Sequence, residues 1–170
     1  MDGRIEQAKH GNREAMGSLV QEHYPRVYRF CARRLGDDLG QDAAQETFVT
    51  MQKNLKRYGQ KSSFETWLLG IAHNQCRNLA RKRRLEPLSI ELWIENSPQG
   101  DQESQSLADR EVLKCALSQL SQEHREVVYL HEVEELRYAE IGEVLGIPEG
   151  TVKSRLHHAF LNLRRMLTDA

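Results

Sequence analysis

The residues best suited to chemistry in this chain are small, basic and hydroxyl side chains on one face of a predicted helix. They are Gly150, Lys153, Ser154, His157 and His158, with Arg155 on the flank of that face. At the start of a helix, side chains of these types can approach phosphates and base edges in the DNA major groove. The pattern therefore indicates nucleic-acid recognition through hydrogen bonds and charge.

Two predicted helices and a sharp turn position that face. The first helix buries Ile141, Val144 and Leu145, Gly146 suits a left-handed carboxyl-terminal cap, and Pro148 supplies a fixed φ for the next helix. The second helix buries a stripe made of Val152, Leu156, Ala159 and Leu163. An ordinary helical hairpin with a solvated polar face is the alternative. The string from 146 to 156 favours a helix-turn-helix, because it supplies turn, cap and basic face together.

Charge is segregated along the chain, although the net charge is only -1. Residues 77–84 contain five basic residues and no acidic one, whereas residues 86–111 contain seven acidic residues against the single Arg110. Such a basic cluster can neutralise phosphates and release counterions, which makes binding salt-dependent. A basic helix end that is merely solvated and stabilises its own dipole is the other interpretation.

The amino-terminal half carries four amphipathic segments whose inward positions recur at helical spacing. The second segment begins near Pro25 and ends at Gly36, the third stops at Gly59, and Ser62 with Glu65 fits a capping box for the fourth. The inward residues are Met16, Leu19 and Val20; Val27, Phe30, Cys31 and Leu35; Leu39, Ala43, Phe48, Met51 and Leu55; and Leu68, Ile71, Ala72 and Leu79. Asp42, Gln45 and Glu46 form a polar strip on the third segment.

These patterns predict an all-α protein of two small helical domains, residues 1–85 and 109–170, joined by a polar linker at 86–108. Pro87, Pro98 and Gly100 interrupt the linker, and it has no sustained helical period. Its apolar residues either pack locally on one of the domains or bind a partner. They are Leu88, Ile90, Leu92, Trp93 and Ile94.

Several protein classes are disfavoured by what the sequence lacks. It has no phosphate-binding glycine-rich loop, zinc-hydrolase motif or nucleophile elbow, so we expect no enzyme and no cofactor. Cys31, Cys76 and Cys115 are expected to be core thiols of a reducing compartment, and the His73/Cys76 pair lacks the second pair of a zinc site. With no signal peptide and no long apolar run, a cytoplasmic location is expected.

Two stretches resemble regions of one known family. The run from 117 to 166, above all the string from 146 to 156, resembles region four of the extracytoplasmic-function (ECF) sigma factors of bacterial RNA polymerase. Residues 42–48, 64–74 and 81–84 are similar to region two of the same family. The resemblance covers about residues 14–85 and 108–167, in the order that the family has. It implies a dissociable initiation subunit of RNA polymerase.

The resemblance also implies a role for particular residues of region two. The family binds core RNA polymerase through a segment matched here by Asp42, Gln45, Glu46 and Phe48, although Phe48 also fits the core. Region two opens the minus-ten element and captures unstacked non-template bases. The matching candidates are Tyr58, Phe64, Trp67 and Asn74, with Arg77, Arg81, Lys82, Arg83 and Arg84 for the backbone. The Trp67 indole suits a core plug as well as a DNA wedge.

Region four of the family reads the minus-thirty-five element of double-stranded promoter DNA. Its contacting segment is matched by Glu149, Gly150, Thr151, Lys153, Ser154, Arg155 and His158. The chain departs from its relatives at Glu135 and Arg137, where they commonly have glycine and a small hydroxyl residue. His157 and His158 also replace further arginines, so the resemblance implies weaker phosphate binding and a less stable turn before Tyr138.

The partners implied by the resemblance are core RNA polymerase, duplex promoter DNA, the unwound non-template strand and an anti-sigma factor. No small-molecule substrate is expected. A stand-alone helix-turn-helix regulator that acts as a dimer is the alternative, and palindromic binding without polymerase would distinguish it. A third class is an adaptor that binds polymerase but has lost promoter opening, against which the aromatic residues and Asn74 argue.

Overall fold

The computed structural model describes residues 2–96 and 106–169 of the chain. Within these ranges every regular element is helical, which confirms the all-α prediction. The helices are α1 (Gly3–Lys9), α2 (Arg13–Leu35), α3 (Asp37–Asn54), a 3-10 turn (Leu55–Arg57), α4 (Phe64–Arg83), α5 (Ile90–Asn96), α6 (Leu107–Gln119), α7 (Gln122–Glu132), α8 (Tyr138–Leu145) and α9 (Glu149–Thr168). They form two compact units, residues 1–87 and 88–170.

Helix α2 is continuous although Pro25 lies inside it, so the predicted helix start near Pro25 is wrong. Proline removes a backbone donor and costs about 3 kcal/mol in a helix interior. The buried stripe nevertheless continues through it, because Leu19, Val27 and Phe30 are all buried in the first unit. Burial of these large apolar side chains on both sides of the proline offsets that cost.

Helices α2 and α3 pack in close contact at Gly40. A Cβ atom on this residue would lie 2.5 Å from the Cα of Ala32, a distance that real side chains do not reach. Gly36 has φ 86° and joins the two helices directly, because its left-handed backbone is accessible to glycine. The two glycines therefore let α3 turn back and lie against α2.

Helix α4 begins one residue later than the sequence predicted. Ser63, and not Ser62, is the N-cap, and its hydroxyl accepts a hydrogen bond from the Thr66 backbone N–H at 3.1 Å. Glu65 does not complete the predicted capping box but pairs with Arg26 of α2, with Nε and Oε1 3.2 Å apart. The Ser62 carbonyl instead accepts a hydrogen bond from the Tyr58 hydroxyl at 2.7 Å.

The segment predicted as a linker, residues 86–108, contains a helix that packs in the second unit. Leu88 and Trp93 are buried, and the Trp93 ring meets Tyr129 of α7 edge-on with 5.4 Å between ring centroids. Glu91 of α5 pairs with Lys114 of α6 at 3.2 Å. Of the two alternatives that the sequence left open for this segment, Leu88 and Trp93 follow the first, because both pack locally. Pro98 and Gly100 lie outside the described residues.

The cysteines divide between core and surface. Cys31 and Cys76 are buried, as predicted, but Cys115 is exposed on α6 and accepts a hydrogen bond from Gln119. The apolar surroundings that suggested burial of Cys115 lie on the other face of α6, where Ala116 and Leu117 are buried. Among the described residues, no helix has both the length and the apolar content needed to cross a membrane.

Candidate nucleic-acid interface

The turn between α8 and α9 is built on two glycines. Gly146 caps α8 with φ 67° and ψ 36°, which confirms the predicted left-handed cap. The Gly142 carbonyl accepts a hydrogen bond from the Ile147 backbone N–H at 3.0 Å. A Cβ atom on Gly142 would lie 2.8 Å from the Ile147 carbonyl oxygen, so the tight approach requires glycine. The short turn fixes where α9 begins.

Helix α9 separates a buried stripe from an exposed polar face, as predicted. Val152, Leu156, Ala159 and Leu163 are buried. Gly150, Lys153, Ser154, His157 and His158 are exposed on the opposite face, together with Glu149 at the first position. Thr151 is half-buried. Most of the side chains that the sequence predicts to contact DNA are thus exposed to solvent on a packed helix.

The two basic residues of the recognition segment differ in how freely they are presented. The Lys153 side chain is 59% exposed and lies 3.5 Å from the Glu149 carboxylate of its own helix. The Arg155 side chain is 25% exposed, and its Nη2 lies 3.4 Å from a carboxylate oxygen of Glu123 on α7. Sequence reasoning missed the Glu123 partner, because it lies on another helix at long range. The Arg155 guanidinium is therefore paired within the second unit, whereas Lys153 extends into solvent.

The turn before α8, at residues 133–137, combines an unfavourable backbone position with a capping contact at the start of α8. Glu135 occupies the left-handed region with φ 56°, where a Cβ atom is unfavourable. Glu140 satisfies the amino end of α8 by accepting a hydrogen bond from the Arg137 backbone N–H at 2.8 Å. The Arg137 guanidinium donates to the same carboxylate at 3.1 Å and, with the backbone bond, holds the pKa of Glu140 below its usual range.

In the first unit, the polar strip of α3 is fully presented. Asp42, Gln45 and Glu46 are exposed, whereas Ala43, Ala44 and Thr47 on the inner face are buried. Phe48 is 5% exposed and stacks on Tyr24 of α2, with 5.8 Å between ring centroids. Phe48 therefore occupies the core position that the sequence allowed, and it supports the strip from below.

The aromatic candidates for base capture form a closed cluster. Ring centroids are 5.5 Å apart for Tyr58 and Phe64, 5.0 Å for Tyr58 and Trp67, and 5.7 Å for Phe64 and Trp67. Tyr58 is 5% exposed and Phe64 is 8% exposed, while Trp67 is half-buried. Burial also raises the pKa of the Tyr58 hydroxyl. In this arrangement the Tyr58 and Phe64 rings cover one another, so a base could stack on either ring only if the rings separate.

The carboxyl-terminal half of α4 carries an exposed polar stripe. Asn74 and Arg77 lie one turn apart on it and are exposed, as are the residues of the basic end, Arg81, Lys82, Arg83 and Arg84. Sequence reasoning missed Asn78, which is exposed between them and accepts a hydrogen bond from Arg81 at 2.6 Å. Its spacing of four residues from Asn74 could have revealed it.

The exposed surfaces of α4 and α9 each offer basic and polar side chains. Across residues 2–96 and 106–169, no group of three or more His, Cys, Asp or Glu side chains could hold a metal ion. A groove of about 540 Å³ lies beside the helix-turn-helix turn, lined by residues of α8, the turn and the start of α9, including Gly142 and Glu149.

Comparison with known proteins identifies both units. Residues 19–86 match the family described as Sigma-70 region 2, and residues 110–163 match Sigma-70, region 4. The chain is 30% identical to ECF RNA polymerase sigma factor SigW of Bacillus subtilis (strain 168), over 98% of this chain and 96% of SigW. It is 36% identical to ECF RNA polymerase sigma factor SigE of Mycolicibacterium smegmatis (strain ATCC 700084 / mc(2)155), over 92% of this chain and 64% of SigE.

Solved structures share the fold. The structure of CnrH in complex with the cytosolic domain of CnrY has a TM-score of 0.66 at 24% identity, covering 98% of this chain and 96% of that one. The sigma factor RpoE in complex with the anti-sigma factor NepR from Bartonella quintana has a TM-score of 0.58 at 22% identity, covering 89% of this chain and 96% of that one. Both sigma regions are matched in order, and the similarity to SigW extends over nearly the whole of both chains. The chain therefore belongs to the ECF group of RNA polymerase sigma factors, which bind core polymerase and direct initiation at promoters.

Proposed function

We propose that the exposed strip of Asp42, Gln45 and Glu46 docks this sigma factor on the coiled coil of the polymerase clamp. The family match of residues 42–48 supports this assignment, as does the exposure of all three side chains on α3. Two carboxylates and an amide on one helix face suit a basic partner surface, because opposite charges steer association and fix its register. Phe48 contributes by holding α3 in place through its ring contact with Tyr24.

The exposed stripe on α4 engages the minus-ten element. Asn74 offers an amide that can bond a base edge, and Arg77 and Arg81 lie on the same face to neutralise the backbone. The Arg81, Lys82, Arg83 and Arg84 run extends the basic surface and carries little sequence information. Tyr58, Phe64 and Trp67 provide the stacking surfaces for unpaired non-template bases once these rings have separated.

The start of α9 reads the minus-thirty-five element in the major groove. Lys153 and Ser154 are the exposed donors, Gly150 lets the backbone come close to the DNA, and Glu149, Thr151 and His158 border them. Arg155 joins this surface by exchanging Glu123 for phosphate or base. The observation that carries the proposal is that one chain presents both this face and the polymerase-binding strip.

Regulation by an anti-sigma factor follows by analogy. RpoE of Bartonella quintana was solved with the anti-sigma factor NepR, and CnrH with the cytosolic domain of CnrY. We expect a partner of the same kind for this chain, which acts in the cytoplasm beside its polymerase and leaves catalysis to that enzyme. A dimeric stand-alone regulator would need neither the α3 strip nor two ordered regions.

The test adds the purified chain to core RNA polymerase that lacks any sigma subunit and measures transcripts from genomic promoter fragments. We expect transcripts that share a two-element upstream sequence. A Glu46→Lys variant should lose polymerase binding, whereas Glu14→Lys, an exposed charge reversal on α2, should keep it. Polymerase binding without transcripts would favour an adaptor, and palindromic binding by a dimer without polymerase would favour the stand-alone regulator.

A further inference from the structure

The amino-terminal helix α1 is fixed along α2. Arg4 donates to the Ser18 hydroxyl at 2.9 Å and pairs with the Glu22 carboxylate at 2.6 Å. Ile5 and Ala8 are buried on the inner face of the same short helix. Polar contacts at one end and apolar burial along the helix thus give α1 a defined position on the first unit.

The other end of α1 holds the loop that carries the aromatic cluster. Lys9 Nζ donates to the Tyr58 carbonyl at 3.0 Å and lies 5.7 Å from the centre of the Tyr58 ring. The same ammonium pairs with Glu6 Oε1 at 3.0 Å, and that carboxylate oxygen also accepts a hydrogen bond from Gln60 at 3.3 Å. The Lys9 side chain is only 16% exposed, so this amine is partly shielded from water where it meets the loop.

The loop at residues 58–63 needs external support because its own backbone is unfavourable. Gln60 has φ 57°, a left-handed conformation that residues with a Cβ atom adopt rarely. Within the loop, the Tyr58 hydroxyl donates to the Ser62 carbonyl at 2.7 Å. Hydrogen bonds join α1 to this loop at two places. One is at Tyr58, the first residue of the loop, and the other is at Gln60, the residue with the unfavourable φ.

We propose that α1 is a strut for the 58–63 loop and that Lys9 is a positioning residue for minus-ten recognition. The proposal rests on the function proposed above, in which Tyr58, Phe64 and Trp67 receive unpaired bases. The match to Sigma-70 region 2 begins at residue 19, so α1 lies before the segment that defines the family. Lys9 acts through the loop and does not itself touch the base.

The expected consequence is a change in selectivity rather than in general affinity. A loop held in one geometry discriminates between bases, because a wrong base leaves fixed polar groups unpaired. Without the ammonium of Lys9, the loop can adjust to other bases. A lysine that merely contacts phosphate would instead change binding about equally for all sequences.

The experiment uses full-length chain with core polymerase and two promoter libraries, one randomised in the minus-ten element and one in the minus-thirty-five element. Lys9→Met keeps the length of the side chain and removes the amine. We expect the preference between the best and the next-best minus-ten sequences to fall by about tenfold, the worth of one charge-assisted hydrogen bond. Preference in the minus-thirty-five library should not change, and Lys9→Arg should restore most of the minus-ten preference.

Lys56→Met is the matched control, because Lys56 is an exposed lysine in the 3-10 turn just before the same loop. It removes the same charge from the same neighbourhood and should leave the order of minus-ten preferences intact. A Lys9→Met profile that equals the wild-type profile would overturn the proposal. Equal losses in both libraries would also overturn it, because they indicate general destabilisation.

A second variant keeps the test decisive if Lys9→Met does not fold. Glu6→Gln retains the shape of the side chain but weakens its bonds to Lys9 and Gln60, and it should flatten the minus-ten profile alone. If a folded Glu6→Gln protein kept the wild-type minus-ten preferences, the proposed support of the loop by α1 would be contradicted. Failure of the proposed function is recognised separately, because then the wild-type chain itself yields no specific transcripts.

Discussion

The two surfaces that we propose bind DNA differ in how exposed their side chains are in this structure. On α9, the Lys153 side chain is 59% exposed, and the polar face is accessible to solvent while the opposite face of the helix is buried. In the first unit, Tyr58 is 5% exposed and Phe64 is 8% exposed, so the stacking surfaces are closed. A duplex offers its groove edges at all times, whereas an unpaired base exists only after melting.

This difference follows from the chemistry of each target. A major-groove reader gains from a rigid, exposed face, because ordering it on binding would cost free energy. An aromatic surface that is open in water exposes apolar area, and closing the rings on one another buries that area until a base replaces it. The first surface is therefore built by turn geometry and the second by side chains that pack against each other.

The largest expected effect comes from breaking the turn that fixes α9. Gly142→Ala places a Cβ atom 2.8 Å from the Ile147 carbonyl oxygen, which belongs to the backbone of the turn and has little room to shift. We expect a loss of about 2 kcal/mol in the free energy of unfolding of the second unit, within the range for overpacking. Denaturant unfolding followed by circular dichroism would measure it.

Gly150→Ala is the matched control for that substitution, because a Cβ atom on Gly150 meets nothing within 4 Å. An exposed glycine inside a helix is less favourable than alanine, so this variant should gain about 0.5 kcal/mol. If Gly142→Ala were as stable as Gly150→Ala, the turn would not be the tight element that positions the recognition helix.

The next effect separates binding from stability on the open face. Lys153→Ala should weaken promoter binding by holoenzyme about tenfold at moderate salt and lower the salt dependence by about one counterion. Its melting temperature should stay close to wild type, because the side chain is exposed. Arg165→Ala near the far end of α9 should bind like wild type. A Lys153→Ala protein that melts early but binds normally when folded would show that the face assignment is wrong.

A smaller effect concerns the turn before α8. Glu135 has φ 56°, a backbone conformation in which glycine would be unstrained. Glu135→Gly should raise the free energy of unfolding by about 0.5 to 1 kcal/mol, since relief of the left-handed strain exceeds the added entropy of the unfolded chain. Thermal unfolding would show a higher midpoint. An unchanged or lower midpoint would mean that the turn adapts to the side chain without strain.

The smallest effect is a pH dependence at the amino end of α8. The pKa of Glu140 is lowered by its bonds from the Arg137 side chain and backbone, so the folded state favours the charged carboxylate. Its stabilisation is complete above the ordinary glutamate pKa of the unfolded chain and is lost as pH falls through the lower folded pKa. Glu140→Gln should remove this part of the acid dependence, about 0.5 kcal/mol or less. Equal acid titrations of unfolding for both proteins would contradict the assignment.

What could be predicted from sequence was local. The helix-turn-helix follows from Gly146, Pro148 and a stripe of buried residues, all of which lie within a short stretch of chain. The polar strip on α3 and the basic end of α4 were visible for the same reason, since helical spacing alone decides which side chains share a face. Their roles toward polymerase and DNA stay predictions.

What could not be predicted depends on contacts between elements distant in sequence. The Arg155 to Glu123 pair and the bond from Lys9 to the Tyr58 carbonyl join helices or loops that no local pattern connects. The uninterrupted α2 reflects packing on both sides of Pro25, which outweighs the local preference of proline. The N-cap is Ser63 and not Ser62. A difference of one residue is expected, because helix ends cannot be assigned to a single residue from sequence preferences.

The exposed face of α9 and the closed aromatic cluster can be compared most directly by hydrogen exchange of this chain within holoenzyme. Mass spectrometry would follow two peptides, residues 55–66 and residues 149–158. Three states are compared: holoenzyme alone, with a duplex carrying only the minus-thirty-five element, and with a promoter whose minus-ten region is mismatched. Duplex alone should slow exchange only in the α9 peptide, and the 55–66 peptide should change only when unpaired bases are present. A response of both peptides to the duplex alone would contradict the account.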